Sequence, residues 1–186
     1  MSYARFGIAF LACVGFAGCA ANNQAGDVPS RPPPRSVAHV DLQRFAGRWY
    51  EIARLPQPET KSCTSGTMIF TLNRDNTLDV VTTCHVGGAS GPLRTSRGTA
   101  TVVNPPANSR LDIKFSDGSA IDYYILRLSS DYSTVAIGTL DRRTLLILHR
   151  DPVMDVDEFG RIVRSLTPDG YPTDQLQLTT QPPVAP

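Results

Sequence analysis

Short segments in which apolar and polar residues alternate recur between residues 49 and 149, and they constrain the fold more than any other feature of the chain. Successive side chains of a strand point to opposite faces, so this alternation is typical of half-buried β-strands. Turn-forming clusters, such as NRDN and SDGS, separate the segments. The pattern predicts an all-β domain of eight strands, at residues 49–54, 68–72, 78–84, 98–103, 111–115, 121–128, 135–140 and 144–149.

One helix is predicted after these strands. Asp155 is an N-cap candidate, and Val156, Phe159, Val163 and Leu166 fall on one apolar stripe at helical spacing. The alternation in residues 175–180 then indicates a late strand. Eight strands with short connections fit an antiparallel up-and-down barrel with the helix packed outside, and they also fit a two-sheet sandwich. The pattern alone leaves both architectures open.

The N-terminus is typical of a targeting signal. Residues 6–16 are apolar but too few to span a bilayer as a helix. Cys19 follows an Ala-Gly pair, which resembles the signal of bacterial lipoproteins, and Ala20 resembles their outer-membrane sorting pattern. The resemblance implies that residues 1–18 are removed and that acyl chains on Cys19 anchor the protein in the outer membrane, on its periplasmic face. An ordinary secretory peptide is the alternative.

The rest of the chain divides into three parts. Residues 19–37 are predicted to form the lipidated N-terminus and a flexible proline-rich linker, because their composition cannot build a core. Residues 38–180 are predicted to form the barrel, and residues 181–186 a disordered tail.

Two sequence features resemble signatures of the lipocalin family. The run GRWYEIAR at residues 47–54 resembles the family's first signature, a glycine and a tryptophan on the first strand, and Arg150 matches the arginine near the end of the last barrel strand. Residues 40–45 are similar to the helical turn that closes the barrel in that family. Ser129 stands where family members usually carry aspartate. Over residues 38–180 the chain is similar to bacterial lipocalins and their apolipoprotein-D-like relatives.

This resemblance implies a structural role for Gly47, Trp49 and Arg150. The Arg150 guanidinium is expected to lie across the indole of Trp49, the single tryptophan of the chain, which contributes about 0.5–2 kcal/mol. The same guanidinium can bond backbone carbonyls, and Gly47 lets the chain enter the first strand tightly. These residues are expected to close one end of the barrel.

Cys63 and Cys84 flank the hairpin predicted from the second and third strands. In an oxidising compartment two such cysteines favour a disulfide, which would lie toward the open end of the barrel. A pair of reduced thiols out of register is the alternative.

Alternation also predicts which side chains face the barrel interior. If Trp49 faces inward, the next two alternate residues of its strand do so too, and the last strand follows by parity with Arg150. The opposite face of the sixth strand remains an alternative. The predicted ligand-binding residues are Glu51, Ala53, Leu111, Ile113, Phe115, Tyr123, Ile125, Leu146 and Leu148. Such a lining suits a fatty acid or a lysophospholipid, unless these residues simply fill a small barrel as core.

The sequence favours binding, storage or transport of small hydrophobic ligands in the bacterial cell envelope. It contains no GxSxG motif, no phosphate loop and no His or Cys at metal-ligand spacing, so neither an enzyme nor a metal or other cofactor is expected. The formal net charge of +1, without a basic run, argues against nucleic acid as a partner. A lipid-modifying enzyme and a protein-interaction module are the alternatives, and a homodimer is left open.

Overall fold

The computed structural model describes residues 31–58, 61–88 and 90–181. The predicted signal peptide, Cys19 and the chain after Gln181 lie outside these ranges. No helix within the ranges is long and apolar enough to cross a membrane. In chain order the elements are α1 (Leu42–Phe45), β1 (Gly47–Arg54), β2 (Cys63–Leu72), β3 (Leu78–Val86), β4 (Leu93–Val102), β5 (Arg110–Phe115), β6 (Ala120–Leu128), β7 (Thr134–Gly138), β8 (Leu145–His149), α2 (Val156–Leu166) and β9 (Gln177–Leu178).

Strands β1 to β8 form one antiparallel sheet that closes on itself. Each strand pairs with the next along the chain, and β1 pairs with β8 as well as with β2. Tyr50 of β1, for example, lies opposite Thr67 of β2 and opposite His149 of β8. The fold is therefore the predicted eight-stranded barrel and not the sandwich. The predicted late strand is present as β9, which pairs with the second half of β1.

Two strands begin earlier than the alternation predicts. β2 begins at Cys63 instead of residue 68, and β4 begins at Leu93 instead of residue 98. The additional residues are mostly polar, yet they pair in the ladder, with Arg94 opposite Cys84. They lie at the open end of the barrel, where inward-facing side chains meet water, so no apolar alternation marks them.

The barrel has one apolar core inside it and a second one outside. The inner core fills the end of the barrel that α1 covers, which we call the floor, and its fully buried members include Phe45, Trp49, Phe70 and Leu78. The opposite end, reached by the β1–β2, β3–β4, β5–β6 and β7–β8 connections, is the mouth. The outer core joins α2 to the outward-facing side chains of β6, β7 and β8, among them Leu126, Ala136 and Ile147.

Helix α2 begins where it is predicted, and three of the four stripe residues pack on the barrel. The carboxylate of Asp155 accepts the backbone N–H three residues later at 2.9 Å, which is an N-cap. Phe159, Val163 and Leu166 belong to the outer core. Val156 is 82% exposed, so the prediction that it packs on the barrel is wrong. The face of α2 that packs on the barrel therefore begins at Phe159, about one turn after the start of the helix.

The segment that precedes α1 is held on the barrel by a buried carboxylate. The Asp169 side chain is 3% exposed and pairs with Arg35 Nε at 2.8 Å and Arg127 Nη2 at 2.5 Å. Burial alone would raise the pKa of Asp169, but hydrogen bonds from both arginines outweigh it and hold the pKa below its ordinary value. Val37 N–H also donates to Ile125 O at 2.9 Å. The packed chain therefore begins before the predicted boundary at residue 38.

Candidate functional site

The floor is organised around one guanidinium. Arg150 lies over the indole of Trp49, with its guanidinium carbon 3.7 Å from the ring centroid. This is the contact that the resemblance implied. The same group donates hydrogen bonds of 2.7–3.2 Å to the carbonyls of Arg44, Phe45, Ala46, Arg48 and Tyr132. Because these carbonyls belong to α1, β1 and the β6–β7 turn, a single side chain joins three separate segments.

Gly47 and Trp49 complete the floor. Gly47 has a φ of +105°, and a Cβ at this position would lie 3.1 Å from Arg150 Nη1, so a larger residue would disturb the guanidinium. Trp49 is fully buried, and its Nε1–H donates to Phe45 O at 3.0 Å. The buried indole and the guanidinium with its five carbonyl partners close this end of the barrel and leave the cavity above them.

The side chain of Ser129, which stands where aspartate is usual, accepts hydrogen bonds from the backbone of the β6–β7 turn. The Ser129 hydroxyl oxygen accepts the backbone N–H groups of Ser133 at 3.0 Å and Thr134 at 2.9 Å, as a carboxylate would. It also donates to Asp131 Oδ1 at 2.5 Å. Hydrogen bonds from Ser129 and from Ser133 lower the pKa of Asp131 to about 2. From the same turn, Tyr132 Oη accepts the backbone N–H of Asp41, the N-cap residue of α1, at 2.9 Å.

Replacing Ser129 by alanine should destabilise the protein by about 1 kcal/mol, because the Thr134 N–H loses its acceptor and the Ser133 N–H keeps only Asp131 Oδ1. The pKa of Asp131 should rise from about 2 toward its ordinary value, since the largest cause of its lowering is removed. Urea unfolding and NMR titration of the Asp131 carboxyl measure the two effects. The Ser130→Ala variant is the matched control in the same turn, and equal behaviour of the two variants would contradict the assigned role.

Above the floor the barrel encloses a cavity of about 650 Å³ that opens at the mouth. Its volume falls within the range of about 300–1,000 Å³ that is usual for small-molecule pockets. Four of the nine predicted lining residues border it: Glu51, Phe115, Tyr123 and Leu146. They come from four different strands, so the cavity lies on the barrel axis.

Four other predicted residues face the barrel interior but lie below the cavity. Leu111, Ile113, Ile125 and Leu148 are at most 1% exposed and belong to the inner core. Ile125 and Tyr123 share that cluster, which agrees with the inward parity chosen for the sixth strand. In the half of the barrel next to the floor, these side chains therefore fill the interior as core and do not line a ligand cavity.

The prediction that Ala53 faces the cavity is wrong. A β-bulge shifts the pairing of β1 with β8 by one residue between Glu51 and Ala53. Ile52 and Ala53 both belong to the outer core as a result, and Arg54 lines the cavity instead. A bulge places two residues opposite one, so it reverses the alternation beyond it, and strict parity could not identify Arg54.

An ion pair lies in the wall of the cavity. Arg54 Nη1 is 2.5 Å from Glu51 Oε1, and the two side chains are only 9% and 13% exposed. Arg54 Nη2 also donates to Cys63 O, and Thr179 Oγ1 donates to Glu51 Oε1 at 2.6 Å. Burial, and secondarily the charge of Glu51, raise the pKa of the nearby Tyr123 phenol, which is neutral in this environment.

A disulfide and two charged side chains lie at the mouth. Cys63 and Cys84 form the predicted disulfide and line the cavity. Arg94, which the sequence analysis missed, lines the cavity beside them, with Nη2 2.8 Å from Cys63 Sγ. Asp117 lines it from the β5–β6 turn, and hydrogen bonds from the Ser119 hydroxyl and amide lower its pKa. Polar side chains complete this part of the lining: Thr82, Ser96, Ser119 and Thr144.

The described residues contain no group of three or more His, Cys, Asp or Glu side chains that could hold a metal ion. Each of the three histidines has a backbone carbonyl within hydrogen-bond distance of Nδ1: His39 lies 2.9 Å from Pro106 O, His85 lies 2.9 Å from Gly91 O, and His149 lies 3.2 Å from Asp151 O. No histidine is among the described residues that line the cavity. The polar groups in the lining are carboxylates, guanidinium groups, hydroxyls and the Gln57 amide.

A closed eight-stranded barrel with a sealed floor and an apolar cavity open at one end belongs to the class of barrels that hold a small ligand in their interior. A family model described as a lipocalin-like domain matches residues 40–181. The chain belongs to the lipocalin family. Members of this family are typically binding proteins for small hydrophobic molecules rather than enzymes.

Two curated relatives illustrate the similarity. Temperature-induced lipocalin-1 of Arabidopsis thaliana is 30% identical over 161 residues, which cover 81% of this chain and 84% of the plant protein. Outer membrane lipoprotein Blc of Escherichia coli (strain K12) is 26% identical over 156 residues, which cover 82% of this chain and 88% of that protein.

Solved structures support the fold alone. The cockroach allergen Per a 4 matches with a TM-score of 0.62 at 20% identity, covering 82% of this chain and 96% of the allergen. Lobster apocrustacyanin A1 matches with a TM-score of 0.61 at 17% identity, covering 84% of this chain and 94% of that chain.

Proposed function

We propose that this lipocalin binds a single-chain amphiphile, a fatty acid or a lysophospholipid, in a bacterial cell envelope. The observation that carries the proposal is the 650 Å³ cavity, whose lining combines apolar side chains with charged groups that include Arg94 and Asp117 at the mouth. An apolar interior without a charged mouth would favour a ligand that is hydrophobic throughout.

The apolar residues suit the hydrocarbon chain. Leu55, Met68, Phe115, Ile121 and Leu146 border the cavity. Each methylene group that leaves water for such surroundings contributes about 0.8 kcal/mol to binding. Because the cavity is preformed, binding of the ligand costs little conformational entropy of the protein.

The charged residues suit the head group. Arg94 offers a guanidinium at the mouth for a carboxylate or phosphate, and Asp117 offers a carboxylate on another part of the lining for an ammonium group. Arg54 already pairs with Glu51, so the ion pair adds little net charge. A fatty acid would use Arg94, whereas a zwitterionic lysophospholipid would use both Arg94 and Asp117.

Titration of delipidated protein with palmitate and with lysophosphatidylethanolamine tests the proposal. We expect saturable binding with Kd below about 100 μM. Isothermal calorimetry and the fluorescence of Trp49 measure the binding. Absence of saturable binding of both lipids in that range would contradict the proposal, and native mass spectrometry of protein purified from an envelope would identify what it carries.

The Leu146→Gln variant should weaken binding of either lipid about tenfold or more, because the ligand chain would have to pack against an amide in an apolar surrounding. The matched control is Leu178→Gln, which makes the same change at a site on β9 that is 73% exposed. Calorimetric titration of both variants is the measurement. Equal affinities of the two variants would place the ligand outside the barrel.

Membrane anchoring through Cys19 is the second part of the proposal. It is supported by the lipoprotein-like signal and by a relative whose name is outer membrane lipoprotein. In a Gram-negative host, Cys19→Ser should move the protein from the membrane fraction to the soluble periplasmic fraction and abolish incorporation of labelled palmitate. Cys13→Ser, within the predicted signal peptide, is the control. Unchanged membrane association and labelling of the Cys19→Ser protein would contradict the anchor.

A further inference from the structure

The barrel wall changes its construction between β1 and β2 near the mouth. Main-chain pairing of the two strands ends with Tyr50 opposite Thr67. Farther toward the mouth, β1 pairs with β9, with Ala53 opposite Leu178. We call the interval between residues 51–54 of β1 and residues 63–66 of β2 the seam, and residues 177–181 the strap.

Individual hydrogen bonds span the seam in place of a ladder. Gln181 Nε2 donates to Glu51 O at 2.6 Å and to Gly66 O at 3.0 Å, and so joins β1 to β2. Thr179 N–H donates to Ile52 O at 2.8 Å, and its hydroxyl donates to the Glu51 carboxylate. Arg54 donates across the gap to a β2 carbonyl. The buried ion pair is thereby part of the wall itself.

The seam borders the ligand cavity. Glu51, Arg54 and Gly66 line the cavity, and on the outer surface Gly66 and Gln181 also line a polar groove of about 210 Å³. Gly66 has no side chain, so the wall at this position is one backbone thick. The Ser65 hydroxyl, in the same groove, is buried without a hydrogen-bond partner among the described residues. The cavity and the outer groove therefore share Gly66 as a border next to the strap residue Gln181.

The strap is held more weakly than the rest of the wall. β9 has two residues, and Leu178 is 73% exposed, so little apolar surface holds the strap on the barrel. On the other side of β1, the pairing with β8 is covered by the outer core, in which Ile147 is fully buried. Segments with few buried contacts open with a smaller free energy than core strands do.

The mouth, in contrast, is crossed by a bond between opposite sides of the barrel. Gln57, in the β1–β2 connection, donates its side-chain amide to Arg143 O in the β7–β8 connection. A ligand that enters axially has to pass this connection. A chain that enters through the seam has to displace the strap and the hydrogen bond from Arg54 to Cys63 O.

We infer that the strap is a latch, and that a single acyl chain enters and leaves the cavity sideways through the seam while its polar head group stays in the outer groove. This inference rests on the proposed function. When the strap detaches, Gln181 releases both strands at once, and the carbonyls of Glu51 and Gly66 become accessible to water. Ligand affinity is set by the cavity, and the strap controls the rate of exchange.

Stopped-flow measurements with a pyrene-labelled fatty acid, using energy transfer from Trp49, test the latch. Gln181→Ala and Thr179→Val should each raise the association and dissociation rates about fivefold and change Kd less than about twofold. The matched variants are Gln57→Ala, which removes a similar amide bond at the mouth, and Thr167→Val, which removes an exposed hydroxyl pair with Thr173. Both should change the rates less than the strap variants do. Equal or larger acceleration by Gln57→Ala would show axial entry and overturn the inference.

Hydrogen exchange of the ligand-free protein separates failure of the latch from failure of the proposed function. The amide of Thr179 should exchange at least about tenfold faster than that of Leu55, which donates to Leu145 O in the neighbouring ladder. Similar protection of both amides would overturn the latch whatever the protein binds. If the wild-type protein fails to bind the probe while the Thr179 amide exchanges fast, the proposed function fails and the entry route fails with it, although the strap does open.

Discussion

Replacing Arg150 by alanine should lower the free energy of unfolding by about 4 kcal/mol, which would be among the larger effects of a single substitution. Five backbone carbonyls would each lose a hydrogen bond from the guanidinium, and the indole of Trp49 would lose the cation on its face. The effect exceeds that of an ordinary hydrogen bond because α1, β1 and the β6–β7 turn are all released together. Urea unfolding followed by far-UV circular dichroism measures it.

Two further variants distinguish geometry from charge at this position. Arg150→Lys keeps the charge, but an ammonium group with three donors cannot reach five carbonyls, so we expect it to recover less than half of the loss. Arg74→Ala removes an exposed arginine from the β2–β3 turn and should change stability by less than about 0.5 kcal/mol. A loss below about 1 kcal/mol for Arg150→Ala would mean that the guanidinium does not hold the floor.

The sequence predicted the floor half of the barrel better than the mouth half. Near the floor every inward position is dry, so residues such as Leu111 and Ile113 must be apolar, and the alternation is visible. Near the mouth, inward positions face the cavity and water, and Arg94 fits there as well as a leucine would. The start of β4 and the guanidinium at the mouth were missed for this one reason.

The bulge in β1 shows a second limit of reasoning from alternation. Strict parity placed Ala53 inside and Arg54 outside, and the structure places them the other way round. A single irregular pairing reverses all later positions of a strand, and nothing in the side chains of Ile52 and Ala53 marks it. Arg54 pairs with Glu51 and with Cys63 O in the cavity wall. These contacts could not be predicted without knowing the register of β1 against β8.

Contacts between distant parts of the chain are the third limit. Gln181 lies within the predicted disordered tail, yet it joins two strands, and Arg35 lies within the predicted linker, yet it pairs with a buried carboxylate. Composition bears only on whether a segment can build a core of its own. It carries no information about whether a segment docks on a core that the rest of the chain has built.

Replacing Asp169 by asparagine tests such a docking contact and should cost about 3 kcal/mol. The carboxylate is 3% exposed and holds two guanidinium groups, and breaking a buried pair costs about 3–5 kcal/mol. The lower end applies because Arg35 is 71% exposed and regains water when its partner is lost. Asp122→Asn is the matched control, because its pair with Arg110 is exposed on both sides and should contribute less than about 1 kcal/mol.

The pH dependence of the same variant gives a second test with a definite sign. Because the folded pKa of Asp169 is lowered, its contribution is complete above the unfolded pKa of about 3.9 and is lost as pH falls through the folded value. The stability difference between wild type and Asp169→Asn should therefore be constant above about pH 5 and shrink at more acidic pH. A difference that persists unchanged in strong acid would show that Asp169 acts through packing and not through its charge, and that the N-terminal segment is docked by other contacts.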